Sequence, residues 1–270
     1  MIFYIGVNLN SFALAFQTFD YQNEGLKFVG FDNLFANFIN VFNEIMEKQY
    51  IQTALKNSIV LYLISLLVGT TLALLFSYYI YKKARFSKIF QIILFLPSII
   101  SGITMVIIYK YFAEISIPEL IYKFTGGEIE GLLSNPNTEF AAIVFFNIWV
   151  GFGVSTLIYS SAMSGISPEI EEAAMMDGIT PLKEFFLIDV PLIAPTVSVF
   201  IISSTATIFM NQMSLFSFYG ANASNYDIWT IGYYMYSGIS SSTTTLADYP
   251  YYAAFGLLFT FITIPITLLI

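Results

Sequence analysis

Six acidic residues gather in residues 168–190, between two of the most apolar runs of the chain, and Lys183 is the one basic residue among them. Helices that lie on membranes usually carry Lys and Arg toward anionic lipid. An acidic segment therefore favours contact with a basic protein partner over contact with lipid. The alternative is a solvated interfacial loop with no partner. The acids are Glu169, Glu171, Glu172, Asp177, Glu184 and Asp189.

The overall composition sets the class of protein. Hydrophobic residues make up 57% of the 270 residues and charged residues 10%, against about 25% charged residues in ordinary soluble domains. We therefore expect an integral membrane protein. The chain contains no Cys and no His, which removes thiol chemistry and disulfides together with the commonest general base and metal ligand. We expect no metal site, and no basic patch suggests nucleic acid as a partner.

Long runs without charge predict where the chain crosses the membrane. Because a helix needs about 20 apolar residues to cross the hydrocarbon core, five such runs supply one crossing each. Residues 1–17 are interpreted as the last part of a further helix, since a signal peptide would need a basic start. Continuously apolar runs also argue against β-barrel strands. We predict one transmembrane domain over 1–270, with helices near 1–17, 57–81, 89–110, 140–163, 193–218 and 250–270.

The basic residues predict the orientation of these helices. Four of the ten Lys and Arg residues lie in KKARFSK (82–88), and such loops face the cytoplasm. Two crossings later the chain is cytoplasmic again, so the loop at 164–191 is predicted inside. The segments at 18–50, 113–139 and 219–249 are then predicted outside.

Within the acidic loop the sequence predicts two short helices. Ser167 followed by Pro168 is a helix start, because the serine side-chain oxygen is expected to cap free backbone N–H groups and proline has its φ already set. Gly178 is a helix stop because it tolerates a left-handed backbone. Thr180 and Pro181 repeat the start signal. Leu182, Phe185 and Phe186 are then predicted to share one face at helical spacing, and Pro191 marks the return to the membrane.

The same segment carries a recognisable pattern. EEAAMMDGITPLKEFFLIDVP resembles the EAA loop of ABC-importer permeases: Glu172-Ala173-Ala174, three residues, Gly178, nine residues, then Ile188-Asp189-Val190-Pro191. The family prefers Leu where Val190 stands. The resemblance implies an all-α integral membrane fold, a six-helix type I importer bundle whose cytoplasmic loop is a coupling helix seated on an ATPase.

The resemblance also implies roles for single residues. Glu172 would pair with a basic residue of the ATPase, Gly178 would allow the turn, and the small Ala173 and Ala174 would permit close approach. Asp177, Ile188 and Pro191 belong to the same expected coupling set. No phosphate-binding loop occurs in this chain, so ATP and Mg would be bound by partner subunits and the chain itself would be neither an enzyme nor a cofactor binder.

The partners and substrate class follow from the resemblance as expectations. They are a second, related permease subunit, two cytoplasmic ATPase subunits and an extracellular substrate-binding protein, assembled in the cytoplasmic (inner) membrane of a bacterium. FVGFDNL (28–34), ALKNSIVL (54–61), LFLPSII (94–100) and YPYYAAFGLLFTFI (249–262) are similar to segments of the sugar permeases. A Gly-Gly-Pro stretch usual in that group is replaced by YGANASNYD (219–227). The chain begins and ends inside predicted helices without the expected basic tails, which suggests that the natural protein is longer.

Polar residues in the predicted spans are candidates for the substrate pathway. An uncharged sugar needs hydrogen-bonding groups for its hydroxyls and aromatic faces for its C–H surface. The alternative for each residue is a packing role, since buried amides also join membrane helices. The candidates are Asn147, Trp149, Asn211, Gln212 and Tyr219.

Two other functions stay open at this stage, besides an ABC permease for a solute that is not a sugar. An ion-coupled secondary transporter commonly places ionisable residues at membrane depth, and the five long runs contain none, although neutral oxygens also bind Na⁺. An intramembrane enzyme using a Ser nucleophile would need a base that these runs do not provide. An ATPase bound through residues 168–190 would exclude both.

Overall fold

The computed structural model describes residues 9–221, 223 and 225–270, which form two compact units. One unit consists of residues 61–204, and the other consists of residues up to 60 together with residues 205–269. Most of the first predicted helix, near 1–17, lies in residues 1–8, outside the described residues. Residues 9–14 are helical, and a strand begins at Gln17.

The elements follow one another mainly as helices. After an antiparallel hairpin of β1 (Gln17–Asp20) and β2 (Gly25–Phe28) come α1 (Ala36–Glu47), α2 (Gln49–Tyr81), α3 (Ser87–Ile99), α4 (Gly102–Thr125), α5 (Pro136–Met163), α6 (Pro168–Met176), α7 (Pro181–Leu192), α8 (Ala194–Ala206), α9 (Leu215–Tyr219), α10 (Ile231–Ser240) and α11 (Tyr249–Leu268). The hairpin is an exception to the predicted all-α fold and lies in a segment predicted to be outside the membrane.

Several of these helices match the length and composition of membrane spans. Among the described residues, α2, α5 and α11 are each long and apolar enough to cross a membrane. The pairs α3–α4 and α7–α8 also qualify if each is one bent span, which brings the number to five. The spans predicted at 57–81, 140–163 and 250–270 correspond to α2, α5 and α11.

The helix predicted at 89–110 is not one straight element. It is divided into α3 and α4, which meet at an angle of 106°. Ile100 between them has an extended backbone (φ −74°, ψ 144°), and α4 starts afresh at Gly102. The absence of charged residues made this run look continuous, although Pro97, Ser101 and Gly102 lie around the break.

The helix predicted at 193–218 is also wrong in its extent. Helix α8 ends at Ala206, and the chain turns before the short helix α9 begins at Leu215. Met213 and Ser214 have positive φ angles of 53° and 56°, which no continuous helix permits. The hydroxyl of Thr230 donates to the backbone oxygen of Asn211 at 2.8 Å, so a distant segment supplies a partner that a helix would otherwise provide. The loop predicted at 219–249 contains a further helix, α10.

Each unit has its own apolar core. In residues 61–204 the core consists of Ala73, Tyr159, Met163, Phe185 and Ile193, and the hydroxyl of Ser77 joins α2 to α5 through the Thr156 carbonyl at 2.9 Å. In the other unit Ala54, Ile231, Tyr234, Phe255 and Phe259 are among the core residues. The first core therefore joins the acidic loop, through Phe185, to helices α2 and α5.

Candidate functional site

The acidic segment folds as a bent pair of helices, which we call the elbow (residues 168–190). Helix α6 ends at Met176, and Gly178 follows with a φ of +69°. A side chain with a Cβ is strained in that left-handed conformation. Helix α7 then begins at Pro181. The predicted starts at Pro168 and Pro181 and the predicted stop at Gly178 are all confirmed.

The predicted cap at the start of the elbow is wrong in its chemistry. Ser167 occupies the N-cap position with an extended backbone, but its side chain accepts no hydrogen bond from the helix backbone. Its hydroxyl donates to the carboxylate of Glu169 instead. The first-turn carboxylate offers the serine hydroxyl an acceptor, and the side chain is turned toward it and not toward the backbone N–H groups.

The inner face of the elbow packs into the core of residues 61–204. Ala174, Glu184, Phe185 and Asp189 are buried. The shared face predicted for Leu182, Phe185 and Phe186 is not formed: Phe185 is 3% exposed, whereas Leu182 and Phe186 are 65% and 58% exposed, respectively. A π-helical turn over Phe185–Asp189 widens the helix at this point, so the α-helical spacing does not apply.

One basic side chain joins both arms of the elbow to helix α2. The ammonium group of Lys82 lies 2.6 Å from Glu171 Oε1 on α6 and 2.7 Å from Glu184 Oε1 on α7. The hydroxyl of Tyr81 donates to the same Glu171 carboxylate, and the hydroxyl of Tyr78 lies 3.3 Å from Glu184 Oε2. We call these five residues the Lys82 clamp. It connects the end of α2 to the elbow at two places.

The clamp keeps its charges. Burial by itself would lower the pKa of Lys82, but hydrogen bonds to Glu171 and Glu184 outweigh it and raise the pKa above the usual lysine value. Hydrogen bonds from Lys82 and Tyr81 lower the pKa of Glu171. At neutral pH the lysine is therefore a cation and Glu171 an anion. The pair is partly shielded from water, since the two side chains are 24% and 27% exposed.

The sequence does not predict the clamp. KKARFSK indicates the orientation of the helices, and the acids of the elbow together suggest an external partner. About ninety residues separate Lys82 from Glu171, so neither periodicity nor local spacing connects them. The surplus of acids over bases in the elbow was the one available signal that a cation from elsewhere would be needed.

The outer face of α6 is free within the described residues. Glu172, Ala173, Met175, Met176 and Asp177 are exposed, and Met175 and Met176 reach 68% and 88%. We call these five residues the docking face. Two carboxylates beside two flexible thioether side chains form a surface suited to a basic, partly apolar groove. The two methionines were also missed, because they are not part of the expected motif.

The residues expected to couple to an ATPase divide between the two sides of the elbow. Glu172, Ala173, Asp177, Gly178 and Pro191 are exposed, Ile188 is half-buried, and Ala174 is buried at 4% exposure. Ala174 therefore packs toward the protein's own core. Asp189, in the same motif, is fully buried and neither of its carboxylate oxygens has a hydrogen-bond partner in the described structure. Among the described residues no group of three or more His, Cys, Asp or Glu could hold a metal ion.

A cavity of about 180 Å³ lies in the unit formed by residues 61–204. Its lining combines aromatic residues with the polar groups of Ser65, Thr70, Asn147, Ser155 and Ser204. A π-helical turn over Ser65–Gly69 in α2 supplies part of its wall, and such turns are frequent at functional sites. The amide of Asn147 donates to the Ile143 carbonyl at 2.8 Å.

The structure does not gather the five predicted pathway residues around this cavity. Asn147 lines it, whereas Trp149 packs near the ring of Tyr109 at 6.5 Å. Asn211 and Gln212 lie in the turn between α8 and α9, not in a helix, and Asn211 Oδ1 accepts from the backbone of Met213 at 2.8 Å. Tyr219 is the last residue of α9. A role in transport stays a prediction for all five.

Comparison with known proteins gives a family and a fold. The family model described as "Binding-protein-dependent transport system inner membrane component" matches residues 65–270. The maltose/maltodextrin transport system permease protein MalF of Salmonella typhimurium is 29% identical over 111 residues, which cover 37% of this chain and 22% of MalF. The probable starch degradation products transport system permease protein AmyD of Thermoanaerobacterium thermosulfurigenes is 35% identical over 92 residues, covering 33% of this chain and 32% of AmyD. The matched segments thus span a third or less of these relatives.

A solved structure of a bacterial ABC transporter involved in the import of the acidic polysaccharide alginate has a similar chain. The TM-score is 0.78, the identity is 21%, and the match covers 97% of this chain and 86% of that chain. A second structure, of an alginate ABC transporter in complex with an alginate pentasaccharide-bound periplasmic protein, gives a TM-score of 0.73 at 22% identity and covers 89% and 81%, respectively. At these identities the likeness shows a shared fold.

Proposed function

Since this chain belongs to the family of binding-protein-dependent transport system inner membrane components, we propose that it is the membrane-spanning permease subunit of an ATP-driven importer. A sugar or oligosaccharide is the proposed substrate class, and the cytoplasmic membrane of a bacterium is the proposed location. The proposed partners are a second permease, two cytoplasmic ATPase subunits and an extracellular binding protein. ATP and Mg would be bound by the ATPase subunits and none by this chain.

The observation that carries this proposal is the docking face. It is acidic, it exposes two methionines at 68% and 88%, and it lies on a helix whose other side is held by a buried core and by the Lys82 clamp. Exposed apolar side chains on a charged helix mark contact surfaces. Glu172 is the proposed anchor for a basic residue of the ATPase, and Met175 and Met176 would enter its groove.

The proposed mechanism uses the elbow to move helix α2. Closure of the ATPase pair around ATP would displace the docking face. Because Lys82 binds Glu171 on α6 and Glu184 on α7, both arms would move with the end of α2. Helix α2 also forms part of the cavity wall through its π-helical turn. The elbow would thereby change the shape of the cavity, which is the requirement of alternating access.

The proposed substrate class rests on the relatives and on the lining of the cavity. MalF and AmyD are named for the transport of maltodextrins and of starch degradation products, and YteP of Bacillus subtilis, 36% identical over 86 residues, for polygalacturonan and rhamnogalacturonan. UgpA of Shigella dysenteriae, 38% identical over 53 residues, is named for sn-glycerol-3-phosphate transport. Hydroxyl and amide groups at Ser65, Thr70, Asn147 and Ser204 could replace the hydrogen bonds that a sugar makes with water.

The proposal can be tested by crosslinking at the elbow. Because the chain contains no cysteine, a single Cys introduced as Met176→Cys can carry a photoactivated crosslinker in the assembled complex. We expect a crosslinked peptide from a subunit that carries a phosphate-binding loop. Ala174→Cys, on the buried side of the same helix, is the control and should give no such product. Crosslinks from Met176→Cys to lipid alone, or to no ATPase, would refute the proposal.

A further inference from the structure

A second cavity, of about 430 Å³, lies in the unit formed by residues up to 60 and residues 205–269. It is not the cavity that Asn147 lines. We propose that it is a binding site for a neutral pyranose sugar, on the outer side of the membrane according to the orientation given by the basic residues. The sugar class rests on the proposed function; the existence of a site does not.

One wall of this cavity is aromatic. Tyr226 and Trp229 lie with ring centroids 4.7 Å apart, and Tyr50 lies 5.4 Å from Tyr226 and 6.1 Å from Trp229. Tyr226 is 52% exposed, so its ring is accessible to a ligand. Aromatic rings offer a flat apolar face beside a polar handle, and a pyranose ring presents a C–H face of similar size.

A second group of lining residues is polar. Ser241, Thr243 and Thr244 contribute hydroxyl groups and Asp248 a carboxylate. The carboxylate is held in place because its Oδ2 accepts from the backbone and hydroxyl of Thr245 at 2.8 and 3.0 Å. Such groups match the donors and acceptors of sugar hydroxyls. No Lys or Arg is among the lining residues. Lys48 lies 6.0 Å from the centre of the Tyr50 ring but is paired with Glu44 at 2.8 Å, so a negatively charged sugar would be repelled by Asp248.

Contacts outside the cavity fix both walls. The amide of Asn57 donates to the backbone oxygens of Asp227 at 2.7 Å and Trp229 at 2.9 Å, which holds the aromatic wall against α2. On the polar side, Gly238 lies so close to Tyr252 that an added Cβ would be 2.1 Å from the tyrosine hydroxyl. A larger residue at Gly238 would therefore displace the Tyr252 ring, which also lines the cavity. A binding site needs walls that are positioned in this way before the ligand arrives.

An aromatic girdle at the membrane surface would place the same residue types here without a ligand. Girdle residues are scattered around the outside of a bundle, whereas these rings line one cavity together with hydroxyls and a carboxylate. A cage for an organic cation also combines rings with a carboxylate. The number of hydroxyl groups favours the sugar, and glycine betaine serves as the cation against which this choice is tested.

Trp229 can report on its own cavity. The chain has two tryptophans, so the full chain carrying Trp149→Phe leaves Trp229 as the single source of tryptophan fluorescence. It would be purified in a detergent without a sugar headgroup and titrated with glucose, maltose, maltotriose, trigalacturonate and glycine betaine. We expect a saturable change with at least one neutral sugar and none with trigalacturonate or glycine betaine.

Three variants in the Trp149→Phe background complete the test. Tyr226→Ala should weaken sugar binding about 3- to 10-fold through loss of the stacking ring, and Gly238→Ala should weaken it by displacing Tyr252. Tyr122→Ala is the matched control, since Tyr122 is 55% exposed and lies in another predicted external segment; it should leave binding unchanged. No saturable response to any neutral sugar, an equal loss with Tyr122→Ala, or a response to glycine betaine would overturn this site. Crosslinking at Met176→Cys tests the proposed function separately, so a chain that binds an ATPase without a Trp229 response would reject this site alone.

Discussion

The ammonium group of Lys82 lies 2.6 Å from the carboxylate of Glu171, while the neighbouring Glu172, about 100° further round the same helix, is exposed. The two adjacent glutamates therefore have different surroundings. Glu171 holds the elbow to the protein's own helix α2, and Glu172 belongs to the docking face. This division gives a matched pair of variants.

Glu171→Gln and Glu172→Gln should have different effects. Glu171→Gln turns the ion pair with Lys82 into a hydrogen bond to a neutral amide oxygen and should speed hydrogen exchange in the elbow, by an amount that corresponds to roughly 1 kcal/mol. Glu172→Gln should leave exchange unchanged and weaken ATPase association about tenfold. Hydrogen exchange and co-purification measure the two effects. Identical behaviour of the two variants would contradict the division.

Replacement of Lys82 should uncouple ATP hydrolysis from transport. Lys82→Met keeps the length and apolar stem of the side chain but loses both ion pairs, which leaves the half-buried Glu171 and the buried Glu184 without their salt-bridge partner. We expect the assembled complex to hydrolyse ATP at close to the normal rate while uptake into proteoliposomes falls. Lys83→Met is the control, since Lys83 makes no salt bridge among those described. Normal uptake with Lys82→Met would rule out the clamp as a link in the mechanism.

The clamp should be insensitive to pH over the physiological range. The pKa of Glu171 is lowered from 4.5, so its stabilising contribution is present above that value and is lost as the pH falls through the lower, folded pKa. The pKa of Lys82 is raised from 10.5, so its contribution is present below that value and is lost at still higher pH. Protection of the elbow amides, corrected for intrinsic exchange, should stay constant between about pH 7.5 and 9. A marked change within this range would show that the pair is not charged as described.

The loss of stability on substituting Gly178 should depend on backbone strain and not on side-chain size. With φ at +69°, Gly178→Ala should cost about 1–2 kcal/mol, and Gly178→Asn should cost less because Asn tolerates this conformation. Thermal unfolding of the purified permease measures the difference. ATPase association should fall in the same order, since the turn sets the angle between α6 and α7. If Gly178→Asn weakened ATPase association more than Gly178→Ala, side-chain size at the interface with the partner would be the deciding factor.

Asn147→Leu should impair transport without affecting assembly. The side chain lines the cavity between α2 and α5, and loss of one hydrogen bond of about 1 kcal/mol to the substrate lowers kcat/KM about fivefold. Uptake of labelled saccharides into proteoliposomes measures this fall in kcat/KM. Asn40→Leu, at an exposed position on α1, is the control. Equal uptake by both variants would assign Asn147 to helix packing.

Local sequence signals were reliable where local physics decides the structure. Pro168, Gly178 and Pro181 set the bounds of the elbow helices, because proline fixes φ and glycine permits the left-handed turn. The uncharged runs located α2, α5 and α11, because hydropathy depends on composition alone. The same signals failed at Ile100 and Met213, where the chain turns inside an apolar run, and at Phe185, where a π-helical turn changes the spacing.

By itself, the sequence determined that the chain is a membrane protein, that it carries a two-helix elbow at 168–190, and which family pattern that elbow follows. Each of these depends on residue type and short spacing, which the order of residues contains directly. Only the tertiary structure decided that Glu171 faces inward while Glu172 faces outward, that Ala174 is buried, and that Tyr50, Trp229 and Asp248 surround one cavity. These relationships join residues tens to hundreds of positions apart, and packing places them together through contacts that no local pattern records.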